Sequence, residues 1–323
     1  MAELLQITGP LFALIGLGWL SVQRGWFDRA LLPALGRFVI AFCVPALLWR
    51  SLAQRNPLEV LHGGFLLAYA LGSLIALGLG WAWARGRGQS VDRAAMTGMG
   101  MSCSNTAFIG FPLVSQLVAG EATVAFALVL LVENFLMLPL CLALADMRSG
   151  QHEPLHRVLL RSLWGLRRNP IVLGLLAGVA TGALKAGTGW TLPSAIDRSV
   201  ALLAAASTAV SLFFIGGNLA GLHIGGLKTQ VAAVAVGKLL LHPLAVALML
   251  GLVGWATQPV AVPLVWGGVV MAAVPMLGIY PILGQRYGLQ AVNAACMLGS
   301  TVAAFFSLSL VMALLRWAWG APQ

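Results

Sequence analysis

The chain has 323 residues, of which 60% are hydrophobic and 9% charged, and its mean hydropathy is +0.92. A soluble domain carries roughly 25% charged residues, so this chain cannot dress a water-facing surface and suits a lipid-facing one. The net charge of +10 comes without a basic stripe interleaved with aromatics, which excludes a nucleic-acid partner and leaves Lys and Arg the task of fixing membrane orientation from short loops.

In chain order, hydropathy predicts about ten transmembrane helices, over 3–23, 31–52, 61–84, 94–119, 121–145, 170–186, 199–221, 229–254, 261–286 and 289–315. The N-terminus carries Glu3 rather than a basic stretch, and no small-residue cleavage pattern follows, so it counts as the first span and not as a signal peptide. Trp19, Trp26, Trp49, Trp81, Trp190, Trp255 and Trp317 lie near span ends, as interfacial anchors do. The connections are short and hold turn residues. The one long connection, 146–169, is basic and separates five spans from five. The expected organisation is a single transmembrane domain over 1–323: a first repeat over about 1–145, a cytoplasmic linker over about 146–169, and a second repeat over about 170–323.

Lys and Arg divide unevenly between the two sides. Arg50, Arg55, Lys185, Arg198 and Arg316 fall on the side of the termini, and thirteen fall on the other. The positive-inside rule places the richer side in the cytoplasm and both termini outside.

Spans 4 and 9 share a short pattern. Phe111-Pro112-Leu113-Val114-Ser115-Gln116 aligns with Tyr280-Pro281-Ile282-Leu283-Gly284-Gln285 at the same place in each half. An odd number of spans per repeat inverts the second half relative to the first. The fold class expected is therefore an all-α polytopic membrane protein of two inverted five-helix repeats, with helices 4 and 9 broken. Both helices interrupt an apolar run with Pro and Gly, and the first adds Ser, Asn and Thr. Open backbone at bilayer depth persists only where it is buried in protein or lines a cavity. Paired breaks at matching positions point to a transport site. The competing reading is two proline-kinked helices packed through small residues. The candidate substrate-binding residues are Asn105, Thr106, Gly110, Pro112, Pro275, Met276, Gly278, Tyr280 and Pro281. A helix restarted near Pro112 and another near Pro281 would turn two positive N-termini toward an anion. Asn105 and Thr106 add side-chain donors and Tyr280 a hydroxyl.

The stretch from Asn105 to Leu113 resembles the signature of the auxin efflux carrier family of membrane transporters. Pro275 to Pro281, followed by Gln285-Arg286-Tyr287-Gly288, resembles the bacterial branch that includes malonate carriers. Leu212 to Gly216 with Leu219-Ala220 in span 7, and Ser300-Thr301 in span 10, fit the same family. The resemblance covers essentially the whole chain. It implies crossing broken helices at the binding site, a fold shared with bile acid–sodium symporters, a small organic anion such as malonate as substrate, a bacterial inner membrane and a homodimer. Val210 stands where span 7 of many relatives carries proline, whereas span 2 keeps Pro45.

Glu133 is the only acid inside a predicted span, beside Asn134. An intramembrane carboxylate is a functional candidate, here for proton coupling, against the alternative of a neutral acid bonded to a neighbouring helix. Sodium coupling leaves no mark, since backbone carbonyls can supply its ligands. Lys238 and His242 are four residues apart and share a helix face, with Pro243 following. They read either as a positive element beside an anion path or as a lysine reaching for the interface or for carbonyls.

Cys43, Cys103, Cys141 and Cys296 lie singly in apolar segments, which excludes CxxC redox or zinc spacing. His152-Glu153-Pro154-Leu155-His156 matches HExxH in form, but Pro154 would block the helix that this zinc motif requires. No phosphate loop, dinucleotide fingerprint or nucleophile elbow appears, so neither cofactor nor enzymatic activity is expected. The function expected is secondary transport of a small carboxylate by alternating access. The alternatives are an anion channel or uniporter and, on the HExxH match alone, an intramembrane metalloprotease.

Overall fold

The computed structural model describes residues 2–55, 61–118, 120–147, 164, 167–221 and 227–321, with side chains from residue 9 onward. The His152–His156 motif and most of the 146–169 linker lie outside the described residues. The described chain is helical: α1 Ala2–Gln23, α2 Arg29–Leu52, α3 Gly63–Gly86, α4 Val91–Ser102, α5 Thr106–Leu117, α6 Ala122–Asp146, α7 Pro170–Thr188, α8 Ser194–Leu219, α9 Lys228–Ala256, α10 Val262–Ala273, α11 Tyr280–Gly284 and α12 Gln290–Trp319. Seven of these, α2, α3, α6, α7, α8, α9 and α12, are long and apolar enough to cross a membrane. Predicted span 4 is divided into α4 and α5, and predicted span 9 into α10 and α11. The chain is thus an all-helical, polytopic membrane protein.

Lipid-facing surface explains the composition. Leu67, Leu71, Ile75 and Leu79 follow one another at four-residue spacing along α3, and all four are exposed, as are Leu244, Leu248 and Leu252 along α9. Such stripes would be costly in water and belong in a hydrocarbon layer.

The helices pack as two groups. One holds α1, α2, α7 and α8. The other holds α3, α4, α6, α9, α10 and α12, together with the short pieces α5 and α11. Small residues allow close approach within the first group: a Cβ at Gly174 would come 2.5 Å from the Pro45 carbonyl oxygen and one at Gly182 2.6 Å from that of Arg55, so α7 lies backbone-close on α2. The groups meet through α8 against the start of α5, through α1 against α5, and through α2 against α6.

Prolines leave a regular imprint. Among the described residues, π-helical turns occur at Val39–Cys43, Thr106–Gly110, Glu133–Met137 and Gly237–Leu241. Each is followed two residues later by a proline, respectively Pro45, Pro112, Pro139 and Pro243. Proline donates no hydrogen bond and its ring crowds the carbonyl one turn back. A widened turn moves that carbonyl aside and keeps the helix continuous. Such turns are frequent at functional sites, and here two of them carry Glu133 and Lys238.

Candidate transport site

The two breaks touch each other. Ser104 and Met276 form an isolated antiparallel bridge, and the Asn105 N–H donates to the Pro275 carbonyl at 2.8 Å. Backbone groups freed by the broken helices are therefore satisfied by one another inside the protein, as bilayer depth requires. Beyond the first break the helix restarts at Thr106, not near Pro112, because the π-turn accommodates the proline within the helix. Beyond the second it restarts at Tyr280, for five residues only.

The positive end of α5 is already occupied. Glu133 reaches from α6 and accepts from the Ser104 N–H at 2.8 Å and from the Thr106 hydroxyl at 2.7 Å. A carboxylate at a helix N-terminus is favourable, but it leaves that end less open to a ligand than two bare N-termini would be. Ser104 also connects to charge of the other sign: its Oγ accepts from the Lys238 ammonium at 2.8 Å. Lys238 makes two further bonds, to the Ala272 carbonyl at 2.5 Å and to His242 Nδ1 at 2.9 Å. With Nδ1 accepting, the imidazole proton belongs on Nε2, which lies 3.0 Å from the Ser73 hydroxyl. Glu133, Lys238 and His242 are all buried. The acid and the base are thus joined through Ser104, at the point where the broken segments cross.

Beside the crossing is a small cavity, about 10 Å³, that Glu133, Lys238 and His242 do not line. From the six-helix group it is lined by Asn105, Gly278, Met297 and Thr301, and from the four-helix group by Phe214, Ile215, Asn218 and Leu219 of α8. It holds at most about one water. A Cβ at Gly278 would lie 3.5 Å from the Asn105 amide nitrogen, so this glycine leaves the amide its room.

A family described as membrane transport protein matches residues 7–312. The chain belongs to this family. It is the auxin efflux carrier family that the motifs of the two broken helices resemble, and the chain is a membrane transporter, not an enzyme. The transporter is 28% identical over 325 residues to the "Putative malonate transporter" of Rhizobium meliloti (strain 1021), covering 98% of this chain and 97% of that one. It is 22% identical over 255 residues to "Auxin efflux carrier component 8" of Arabidopsis thaliana, covering 65% of this chain and 70% of that one.

The structure brings together some of the residues singled out in the sequence and separates others. Asn105 and Gly278 share the cavity, and Pro275 and Met276 hold the crossing through backbone. Thr106 is turned to Glu133. Gly110 closes the π-turn of α5, and Pro112 and Pro281 lie within the restarted helices, α5 and α11. Tyr280 points elsewhere: its hydroxyl donates to the Met96 carbonyl at 2.8 Å and it does not line the Asn105 cavity. Asn134 bonds back to the Leu130 carbonyl of its own helix and stays out of the network. Ser73, Ser104 and Asn218 were not singled out as site residues. Their only signal was a polar side chain in an apolar segment. No cluster of His, Cys, Asp or Glu able to hold a metal occurs among the described residues.

Proposed function

We propose that the transporter carries a small carboxylate, malonate or a near relative, by alternating access, with the six-helix group moving against the four-helix group. The carrying observation is the cavity at Asn105, which is built half from the crossing and half from α8. Neutral polar groups line it: the Asn105 amide, the Asn218 amide, one N–H of which bonds the Phe214 carbonyl, and the Thr301 hydroxyl, which donates to the Met297 carbonyl and can accept. The Lys238 charge is bonded to Ser104, the neighbour of Asn105. The cavity is too small to admit a carboxylate until the groups part. The named malonate relative, matched along nearly its full length, supports the substrate class.

In this reading ten crossings form two inverted five-helix repeats, with the termini outside a bacterial inner membrane. Contacts near the span ends support the topology. Arg55 pairs with Glu121 at 3.0 Å, Arg50 with Asp197 at 3.7 Å, and Arg286 with Asp146 at 3.7 Å. Each pair joins groups that the positive-inside count assigns to one side of the membrane. A cysteine at Gly150 in a cysteine-free variant should be shielded from an impermeant thiol reagent in right-side-out cells, and labelling there would reverse the orientation.

The Glu133–Lys238 arrangement favours proton over sodium as the coupling ion. Protonating Glu133 would leave the Lys238 charge without its counter-charge beside the cavity, which strengthens anion binding. By linkage, the anion would then favour the proton equally. Tyr69 and Cys103 are the other titratable groups around the acid. In proteoliposomes, malonate uptake should saturate, show counterflow and respond to an imposed proton gradient but not to a sodium gradient. Non-saturating flux would indicate a channel. Glu133→Gln should abolish the response to pH, and an unchanged response in this variant would remove Glu133 from coupling. Homodimer formation follows from the family resemblance and is open to measurement by mass in detergent.

A further inference from the structure

A second cavity, of about 110 Å³, lies within the six-helix group and shares no lining residue with the crossing cavity. Its polar walls are Gln89, Arg93, Thr97, Gln230, Tyr280 and Asn293. Hydrogen bonds fix most of these in place. Gln89 Nε2 donates to Gln230 Oε1 at 2.9 Å, and Gln230 Nε2 donates to the Thr97 hydroxyl at 3.0 Å. These bonds tie the start of α4 to the start of α9. Asn293 Nδ2 donates to the Tyr280 carbonyl at 3.1 Å, and a Cβ at Gly284 would overlap that amide. The cavity is therefore preformed.

Arg93 is exposed and lines this space, and among the described residues its guanidinium makes no ion pair or hydrogen bond. Asp92, its neighbour in sequence, has its own interaction and does not line the cavity. An accessible guanidinium over a preorganised polar pocket matches a carboxylate, whose two oxygens take two of its parallel N–H groups. Leu289 and Val292 supply an aliphatic wall for a short carbon chain. The space equals that of about four waters, at roughly 30 Å³ each, which limits the ligand to a carboxylate of about malonate's size.

We propose that this cavity is a second small-carboxylate site, filled from the cytoplasmic side, in which Arg93 pairs with the carboxylate. The ligand class rests on the transport reading above; the place does not. A ligand here would touch Tyr280, the first residue of α11, while Gly278 two residues earlier lines the crossing cavity. The site is thus placed to report carboxylate occupancy to the crossing through the short stretch from Gly278 to Tyr280.

Equilibrium binding of radiolabelled malonate to the purified full chain, counted per chain and paired with a thermal melt, tests this. The wild type should bind two, Arg93→Gln one, Asn105→Ala one, and the double variant none. Gln230→Leu should remove the same site as Arg93→Gln and replaces it should that variant not fold. A single wild-type site insensitive to Arg93→Gln would overturn the second site and leave the crossing reading intact. A single site lost in Arg93→Gln and kept in Asn105→Ala would do the reverse. Two sites persisting in folded Arg93→Gln and Gln230→Leu would place the second site elsewhere, and no malonate bound by the wild type would overturn both.

Discussion

The two breaks occupy matching places in the sequence but do different work. The first, 103–105, is short and opens into a helix, α5, whose first turns carry Thr106 and Pro112. Its side chains do the bonding: Ser104 and Thr106 meet Glu133, Ser104 meets Lys238, and Asn105 faces the cavity. The second, 274–279, is apolar throughout, from Val274 to Ile279, and opens into five residues of helix. It contributes backbone and space: the Pro275 carbonyl, the bridge at Met276 and the bare Cα of Gly278. Chemistry is concentrated on one strand of the crossing and shape on the other. Near-symmetry of motif has not produced symmetry of contacts.

Removing the chemistry from the first break should have the largest effect. Glu133→Ala would leave the Lys238 ammonium buried without its acid and uncap α5. Breaking a direct buried pair by deleting one partner costs roughly 3–5 kcal/mol, and because these two charges meet through Ser104 the cost here should lie at the lower end of that range. A fall in melting temperature on the order of 10 °C is expected, with transport lost. Adding Lys238→Met should recover much of the melt without recovering transport, because two neutral side chains no longer leave a stranded charge. A single variant that melts like the wild type would show that the pair does not hold the crossing.

Asn105→Ala should come next, and should act on affinity instead of stability. A hydrogen bond to a charged group contributes about 1.5–3 kcal/mol, so malonate affinity at the crossing should fall roughly 10- to 100-fold. The melt should move little, because the Asn105 bond that ties the crossing is made by its backbone N–H. Calorimetry beside a thermal melt separates the two effects. A large loss of stability with unchanged affinity would make Asn105 a structural residue.

The sequence made the breaks legible, and their physics explains what it left hidden. Proline, glycine and polar residues inside apolar runs located both crossings and the cavity residues Asn105 and Gly278. The spacing of Lys238 and His242 was enough to place them on one face, and they do bond to each other. The isolated acid was found by its cost. Its partner was not, because a backbone N–H such as that of Ser104 has no letter in a sequence. The restart of α5 was placed near Pro112 on the preference of proline for a first helical turn. A π-turn satisfies the same proline from inside a helix, and the two outcomes read alike as letters. Asn218 was missed for another reason: it becomes part of a cavity only when α8 packs on the crossing, which is a tertiary event. The direction of the Tyr280 hydroxyl, toward the Met96 carbonyl, is not legible in the sequence, since a five-residue helix gives its side chain no periodicity from which a face could be read.

Gly278→Ala tests the claim that the second break supplies space. The added Cβ would lie 3.5 Å from the Asn105 amide nitrogen and 3.7 Å from Ile215 Cδ1, ordinary contact distances, and Gly278 is not among the positive-φ glycines. The fold should therefore accept it. The cavity should not, because one methyl occupies most of a space that holds at most about one water. Malonate affinity at the crossing should fall by severalfold, on the order of 1 kcal/mol, in line with one methylene's worth of discrimination in a pocket. A variant that binds as well as the wild type would mean that the parted groups give this position room to spare.

The smallest effect should come from Tyr280→Phe, and its smallness is informative. Tyr280 aligns with Phe111 in the repeated motif, so the substitution makes the second break more like the first. If symmetry of motif meant symmetry of role, the hydroxyl would face the substrate and its loss would cost as much as Asn105→Ala. Instead the hydroxyl is spent on the Met96 carbonyl, inside the six-helix group and beside the second cavity. A carbonyl in the body of α4 retains its helical partner when the hydroxyl goes, so the stability loss should stay near the 0.5–1.5 kcal/mol of an ordinary hydrogen bond. Affinity of the crossing site should change by less than about twofold, or under roughly 0.4 kcal/mol. Calorimetry on a background carrying Arg93→Gln, which leaves the crossing as the sole site, isolates that number. A tenfold loss on this background would mean that α11 rotates on binding and turns Tyr280 toward the ligand, and the division of labour between the breaks would then hold only for the closed cavity.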